Sequence, residues 1–168
     1  MPISATTDLS DRFGDEARVL PPELRNFGGR ISFQGSAVTV KCFEDNSRVK
    51  EILTMPGSGK VLVVDGGASK RCALLGDMIA RDAEQNGWEG IVIYGCVRDS
   101  AILTTLGIAI KALGVTPRKS TRCGEGMAHL TVDIGGVSVN DGDFVVGDAD
   151  GVVILTPAQA NEVTKGAS

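Results

Sequence analysis

Arg98 and Asp99 stand side by side in YGCVRDS (94–100), directly after the apolar run Gly90-Ile91-Val92-Ile93. An arginine guanidinium is a fixed positive fork that suits an enolate or carboxylate oxygen. A lone carboxylate suits Mg²⁺, which keeps several waters and uses few protein ligands. Twenty residues separate Arg98 from Asp77 of Gly76-Asp77-Met78-Ile79, where a Gly-Asp pair inside a helical pattern suggests that the helix restarts. Free amides and the helix dipole at such a start form a site for a small anion such as a carboxylate. Both features have plainer readings. An exposed Arg-Asp pair contributes roughly 0–1 kcal/mol, and a glycine tolerated within a helix costs about 1 kcal/mol.

The surrounding elements bring these positions toward one another. Lys60 to Gly67 (KVLVVDGG) is a continuous apolar run closed by glycines, the pattern of a strand covered on both faces. Ala73 to Asn86 has helical spacing, with Gly87 placed to end it, and Glu89 to Tyr94 is a second buried strand. Strand, helix and strand make a βαβ unit with parallel strands. Ligands bind beyond the C-terminal ends of such strands, the edge at which helices start. A helix start near residue 76 therefore faces the same crevice as Arg98 and Asp99.

Around this centre, a short helix is expected near Asp8 to Phe13, stopped by Pro21-Pro22. FGGRISFQGSAVTVKCFED reads as two short strands, and Asn46 to Leu53 as a helix with Asn46 as its N-cap. A helix is expected over Ala101 to Leu106, while Ile108 to Leu113 fits strand or helix equally. From Thr131, β-type runs broken by Gly-Gly, Asn-Asp-Gly and Asp-Ala-Asp-Gly predict a C-terminal β-meander. The expectation is a single α/β domain over 1–168, with 1–20 an N-terminal arm or short helix and 157–168 a short terminal helix and loose C-terminal tail.

Composition narrows the function. The 168 residues support one domain with a real core. A net charge of −4 and 4% aromatics argue against nucleic acid as a direct ligand, which needs a basic face and stacking platforms. No stretch reaches the roughly 18 apolar residues of a membrane span, and the start shows no signal-peptide pattern. The four cysteines (42, 72, 96 and 123) form no CxxC, so they are expected to be reduced and packed in a cytoplasmic protein. The single histidine, His129, makes a His-rich metal site or His-centred triad improbable and reads as structural or surface. Gly57-Ser58-Gly59-Lys60 precedes a strand and is followed by Val61, so it is a turn rather than a P-loop. Val64-Asp65-Gly66-Gly67-Ala68-Ser69 lacks GxGxxG spacing and reads as a tight strand exit.

FGGRISFQG, TVKCFEDN, VLVVDGGAS, GDMIARDAEQNGWEGIVIYGCVRD and GIAIKALGVTPRKS together resemble the regulator of ribonuclease E activity A and its relatives, the class II 4-hydroxy-4-methyl-2-oxoglutarate aldolases. The likeness runs from about Asp8 to Leu155. Some members of this family once carried the label demethylmenaquinone methyltransferase, but an adenosylmethionine loop is missing here. The resemblance implies a swivelling β/β/α fold and a homotrimer with sites between subunits. It also implies a divalent-metal aldolase that cleaves a small 2-oxo acid into two pyruvates and decarboxylates oxaloacetate through the same pyruvate enolate. By motif, Asp99 would hold Mg²⁺ or Mn²⁺, and Arg98 would bind the keto or enolate oxygen. The amides of Gly76, Asp77, Met78 and Ile79 would take the carboxylate, with Asp77 ordering water at the metal. No lysine Schiff base is then needed. The longer aldolases carry a C-terminal extension with an acidic residue. This sequence ends at Ser168, which leaves the acid/base for the substrate hydroxyl unassigned. The alternative from the same resemblance is a non-catalytic regulator that binds and inhibits ribonuclease E.

Overall fold

A computed structural model describes residues 4–166 of the chain. Helix α1 (Thr6–Phe13) and a single 3-10 turn lead into the two-residue strands β1 (Arg18–Val19) and β2 (Arg25–Asn26). Then come β3 (Phe33–Lys41), α2 (Ser47–Leu53), β4 (Lys60–Asp65), β5 (Ala73–Leu75), α3 (Asp77–Gln85) and β6 (Gly90–Val97). After the one-turn helix α4 (Ser100–Leu103) follow β7 (Ala109–Val115), β8 (Met127–Ala128), β9 (Val132–Ile134) and β10 (Val137–Val139). The chain closes with β11 (Phe144–Asp148), β12 (Gly151–Leu155) and α5 (Pro157–Gly166).

Strands β3, β4, β6 and β7 lie parallel, as the buried apolar runs require. Beyond β3 the sheet continues antiparallel through β11, β12 and β1, and β2 flanks β7. Alternate side chains serve two cores. Leu62, Val64, Ile91, Ile93 and Ile110 pack with Val49, Leu53, Ile79, Ala80 and Ala83 of α2 and α3. Val61, Val63, Val92 and Ala109 point the other way, against Phe33, Val145, Val152 and Ile154. The second core shows that the sheet curls over itself. Lys111 Nζ of β7 donates to Asp148 O of β11 at 2.7 Å, although three strands separate β7 from β11 in the sheet order. The result is one mixed α/β domain with a curled mixed sheet.

Several expectations are corrected. The helix expected from Ala73 begins at Asp77, because Ala73, Leu74 and Leu75 are buried and pair with β6 as β5. FGGRISFQGSAVTVKCFED holds one long strand, since Gly35 lets the backbone pass Gly59, where a Cβ would meet Gly59 O at 2.8 Å. IAIKAL lies in strand β7, and the expected Ala101–Leu106 helix is the shorter α4. The C-terminal run is two hairpins rather than one meander. β9 and β10 pair with each other, while β11 and β12 join the main sheet against β3. The turn between the hairpins docks on β3 through Ala37 N to Asp143 O at 2.7 Å, which separates β10 from β11. The short terminal helix expected in 157–168 is α5, over Pro157–Gly166. The remaining residues of both termini lie outside the described ones.

Gly66 supports close packing, with a would-be Cβ 2.8 Å from Tyr94 O. Cys42, Cys72 and Cys96 are free and buried as expected, and burial pushes the Cys42 thiol up to about 12. Cys123 departs from the expectation because it is exposed. His129 is a surface residue facing Asp141 at 3.3 Å. Among the described residues no helix is long and apolar enough to cross a membrane.

Candidate functional site

Strand β6 runs three residues past the expected end at Tyr94, with Cys96 and Val97 paired on both sides beyond a register shift, and Arg98 is the first residue beyond the sheet. Arg98 N bonds Leu75 O at 2.9 Å, which ties the end of β6 to the residue before Gly76. Asp99 then takes a left-handed conformation, φ 59° and ψ 40°, one that aspartate tolerates better than most side chains. Its carbonyl receives the amides of Ile102 and Leu103 of α4. Its side chain returns toward α3, where Oδ2 accepts the Asp77 amide at 3.2 Å. Arg98 Nε lies 4.0 Å from the same oxygen.

Gly76 makes this approach possible. Its backbone is extended, so any residue could adopt the conformation, but a Cβ there would sit 2.8 Å from Asp99 Oδ2 and 3.3 Å from Arg98 Nε. The following amides of Met78 and Ile79 belong to the first turn of α3, which has no side-chain cap. Amides in that turn lack intrahelical acceptors and carry the positive end of the helix dipole. Gly76, Asp77, Met78, Ile79, Arg98 and Asp99 all line one cleft of about 600 Å³. All six residues singled out from the sequence are therefore brought together.

A second set of residues in the cleft lining was not evident from the sequence. Asn46, Lys119, Ser120 and Arg122 also line the cleft. Asn46 precedes α2 but does not cap it with its side chain, whose Nδ2 donates to Leu74 O at 3.3 Å and whose Oδ1 accepts Arg122 Nε at 3.2 Å. Residues 118–124 form a strap held by backbone bonds, Ala73 N to Arg118 O, Asn46 N to Thr121 O and Thr121 N to Glu44 O. Asp45, almost wholly buried, fastens it further by accepting Ser47 N at 2.9 Å and Cys123 N at 2.7 Å. Burial alone pushes the Asp45 carboxyl up, but hydrogen bonds from Ser47 and from the amides of Ser47, Cys123 and Glu125 outweigh it and leave it at about 2. The only sequence signal for this set was FEDN beside TPRKS, two polar stretches without periodicity. Ser120 Oγ is buried without a hydrogen-bond partner among the described residues.

The donor chemistry fits a hard divalent cation. Asp99 offers a carboxylate oxygen at the cleft, with Asp77 beside it, and no thiol or imidazole lines the cleft. No group of three or more His, Cys, Asp or Glu gathers at one point among the described residues. Such a site suits Mg²⁺ or Mn²⁺ holding several waters, rather than a closed zinc cage.

Residues 6–154 match the family described as Aldolase/RraA. The chain belongs to this family. Among curated members of the Aldolase/RraA group, it is 54% identical over 149 residues to a protein of Alkalilimnicola ehrlichii, covering 89% of this chain and 92% of that one. A Pseudomonas putida relative is 52% identical, with 89% and 91% covered. Both carry the provisional name 4-hydroxy-4-methyl-2-oxoglutarate aldolase. A solved structure described as the RNA-processing inhibitor RraA from Thermus thermophilis superposes with a TM-score of 0.88 at 42% identity, over 92% of this chain and 93% of that one. A Geobacillus kaustophilus structure, described as an S-adenosylmethionine:2-dimethylmenaquinone methyltransferase, gives the same TM-score of 0.88 and identity of 42%, over 91% and 95%.

Proposed function

We propose that the cleft binds a small 2-oxo acid and breaks its C3–C4 bond with the aid of a divalent metal. 4-Hydroxy-4-methyl-2-oxoglutarate would yield two pyruvates, and oxaloacetate would yield pyruvate and carbon dioxide. The seating of Arg98 and Asp99 on the start of α3, with Asp77 N 3.2 Å from Asp99 Oδ2, is the observation that carries this reading. The names of the curated relatives support it at the level of the family.

In this scheme the Met78 and Ile79 amides, with that of Gly76, hold the C1 carboxylate, while the Asp77 amide stays on Asp99 Oδ2. Arg98 sets a permanent positive charge where the C2 oxygen becomes an enolate, a charge aligned before the bond breaks. Asp99 holds the Mg²⁺ or Mn²⁺, which when bound supplies Lewis-acid polarisation of the keto group. Asp77 positions water at the mouth. Aldol cleavage also requires loss of the C4 hydroxyl proton to a base that remains unassigned. Decarboxylation requires none, and is therefore the activity to assay first.

The reading extends to a homotrimer with the cleft near a subunit boundary. Support comes from Met78 and Val115, exposed apolar side chains beside the cleft, whose solvent exposure an interface would remove. Light scattering of the purified protein tests it.

The decisive experiment measures pyruvate release from both substrates, with Mg²⁺ and with chelator, for the wild type and Asp99→Asn. Release that persists under both chelation and substitution overturns the proposal. A second reading, a ribonuclease E regulator, is supported by the likeness to the Thermus RNA-processing inhibitor and by a net charge of −4 suited to a basic partner. Absence of binding to a ribonuclease E at micromolar concentrations removes it. The aldolase is preferred because a masking surface gives no reason for the Arg98–Asp99 arrangement.

A further inference from the structure

The cleft is far larger than a three-carbon acid requires, and besides Arg98 its lining carries two more cations, Lys119 and Arg122. Neither forms an ion pair among the described residues. Arg122 is the more constrained of the two. Its Nε is bound at 3.2 Å to the Oδ1 of Asn46, a buried amide whose Nδ2 is fixed on Leu74 O at 3.3 Å. The anchored Nε leaves the two terminal nitrogens as a fork with no protein partner among the described residues. An arginine restrained in this way is preorganised for two parallel hydrogen bonds to a carboxylate, which a flexible ammonium is not.

We infer that Arg122 is the specificity-determining residue for the end of the substrate remote from the keto group, and that it selects 2-oxo acids bearing a second, distal carboxylate. Asn46 acts through it as a positioning residue. The inference rests on the aldolase reading, which already fills the α3 start and Arg98 with the C1 carboxylate and the C2 oxygen. The distal end of the ligand is then left against the 118–122 wall. Before contact, the two unpaired cations also raise the local concentration of dianionic substrates.

The test uses a ligand pair that differs only at the distal end, 2-oxoglutarate and 2-oxopentanoate, titrated calorimetrically into the wild type, Arg122→Gln and Arg122→Lys in the presence of Mg²⁺. The wild type is expected to prefer 2-oxoglutarate by about tenfold or more, as sites built for a polar group reject the analogue lacking it. Arg122→Gln should lose most of that preference, and Arg122→Lys should keep a part of it through charge alone. A merely structural arginine would weaken both ligands equally, which overturns the inference, as does an unchanged preference in Arg122→Gln. Exchange of the pyruvate methyl protons with deuterium in the wild type separates the two levels. If exchange occurs but the preference does not depend on Arg122, only this inference falls. If the wild type neither exchanges pyruvate protons nor binds pyruvate, the aldolase reading falls with it.

Discussion

A Cβ on Gly76 would lie 2.8 Å from Asp99 Oδ2, so the cleft can seat the Asp99 carboxylate only because residue 76 has no side chain. The backbone at Gly76, φ −129° and ψ −170°, suits alanine, and the group that must yield is the end of the Asp99 side chain. Gly76→Ala should therefore leave Tm within about 4 °C, the shift that about 1 kcal/mol produces in a domain of this size. Displacing the carboxylate by a fraction of an ångström should cost much more in turnover, up to about a hundredfold in kcat/KM. A large Tm loss with unchanged kcat/KM would show that the glycine serves the fold instead.

At position 99 the charge and the backbone can be separated. Asp99→Asn keeps an acceptor for the Asp77 amide and a side chain tolerant of the left-handed region, and it removes only the charge. Mg²⁺-dependent pyruvate release should fall about a hundredfold or more, with little change in Tm, as Lewis-acid stabilisation of several kcal/mol is withdrawn. Asp99→Ala should be equally inactive and less stable than Asp99→Asn, because a Cβ at φ 59° without a compensating polar group costs about 1–2 kcal/mol. Equal melting temperatures for the two variants would refute the backbone part of this account.

The Arg98–Asp99 and Gly76–Asp77 pairs were legible in the sequence because each is local and ends an element of strong periodicity. Parallel strands put both ends on the same edge of the sheet. The start of α3 was harder to read, since Ala73-Leu74-Leu75 continues the apolar spacing of DMIARDA and only pairing with β6 makes it a strand. The wall of Asn46, Lys119 and Arg122 gave no such signal. It is built from a strap without regular structure, held by Asp45 and by backbone bonds to Ala73, Asn46 and Glu44, far away in the sequence. Asn46 looked like a helix cap because its type and place fit one, but its side chain is committed to Leu74 and Arg122.

The anchoring of the strap by Asp45 should be visible in acid. The folded Asp45 is held at about 2 against an ordinary 3.8, so the unfolded chain binds the extra proton between these values. Its contribution is complete above pH about 4 and is lost as pH falls toward about 2. Asp45→Asn should melt below the wild type at neutral pH, and the gap should close over that window. A gap that stays constant between these limits would remove the carboxylate from the account. The same variant should weaken 2-oxoglutarate more than pyruvate, because the strap carries Arg122.

Lys111 gives a slope of the same sign at the alkaline end. It is 2% exposed inside the curled sheet, with Nζ on Asp148 O at 2.7 Å. Burial pushes its amine below the usual value of 10.5, while Asp148 and Asp150 oppose the shift without cancelling it. A base lowered on folding binds fewer protons in the native state, so below 10.5 this lysine makes stability rise as pH rises. Lys111→Met fits the same interior without a titrating group. The melting temperature of the wild type relative to Lys111→Met should therefore climb from neutral pH toward pH about 10. Parallel profiles would mean that the amine is as well satisfied in the folded interior as in water.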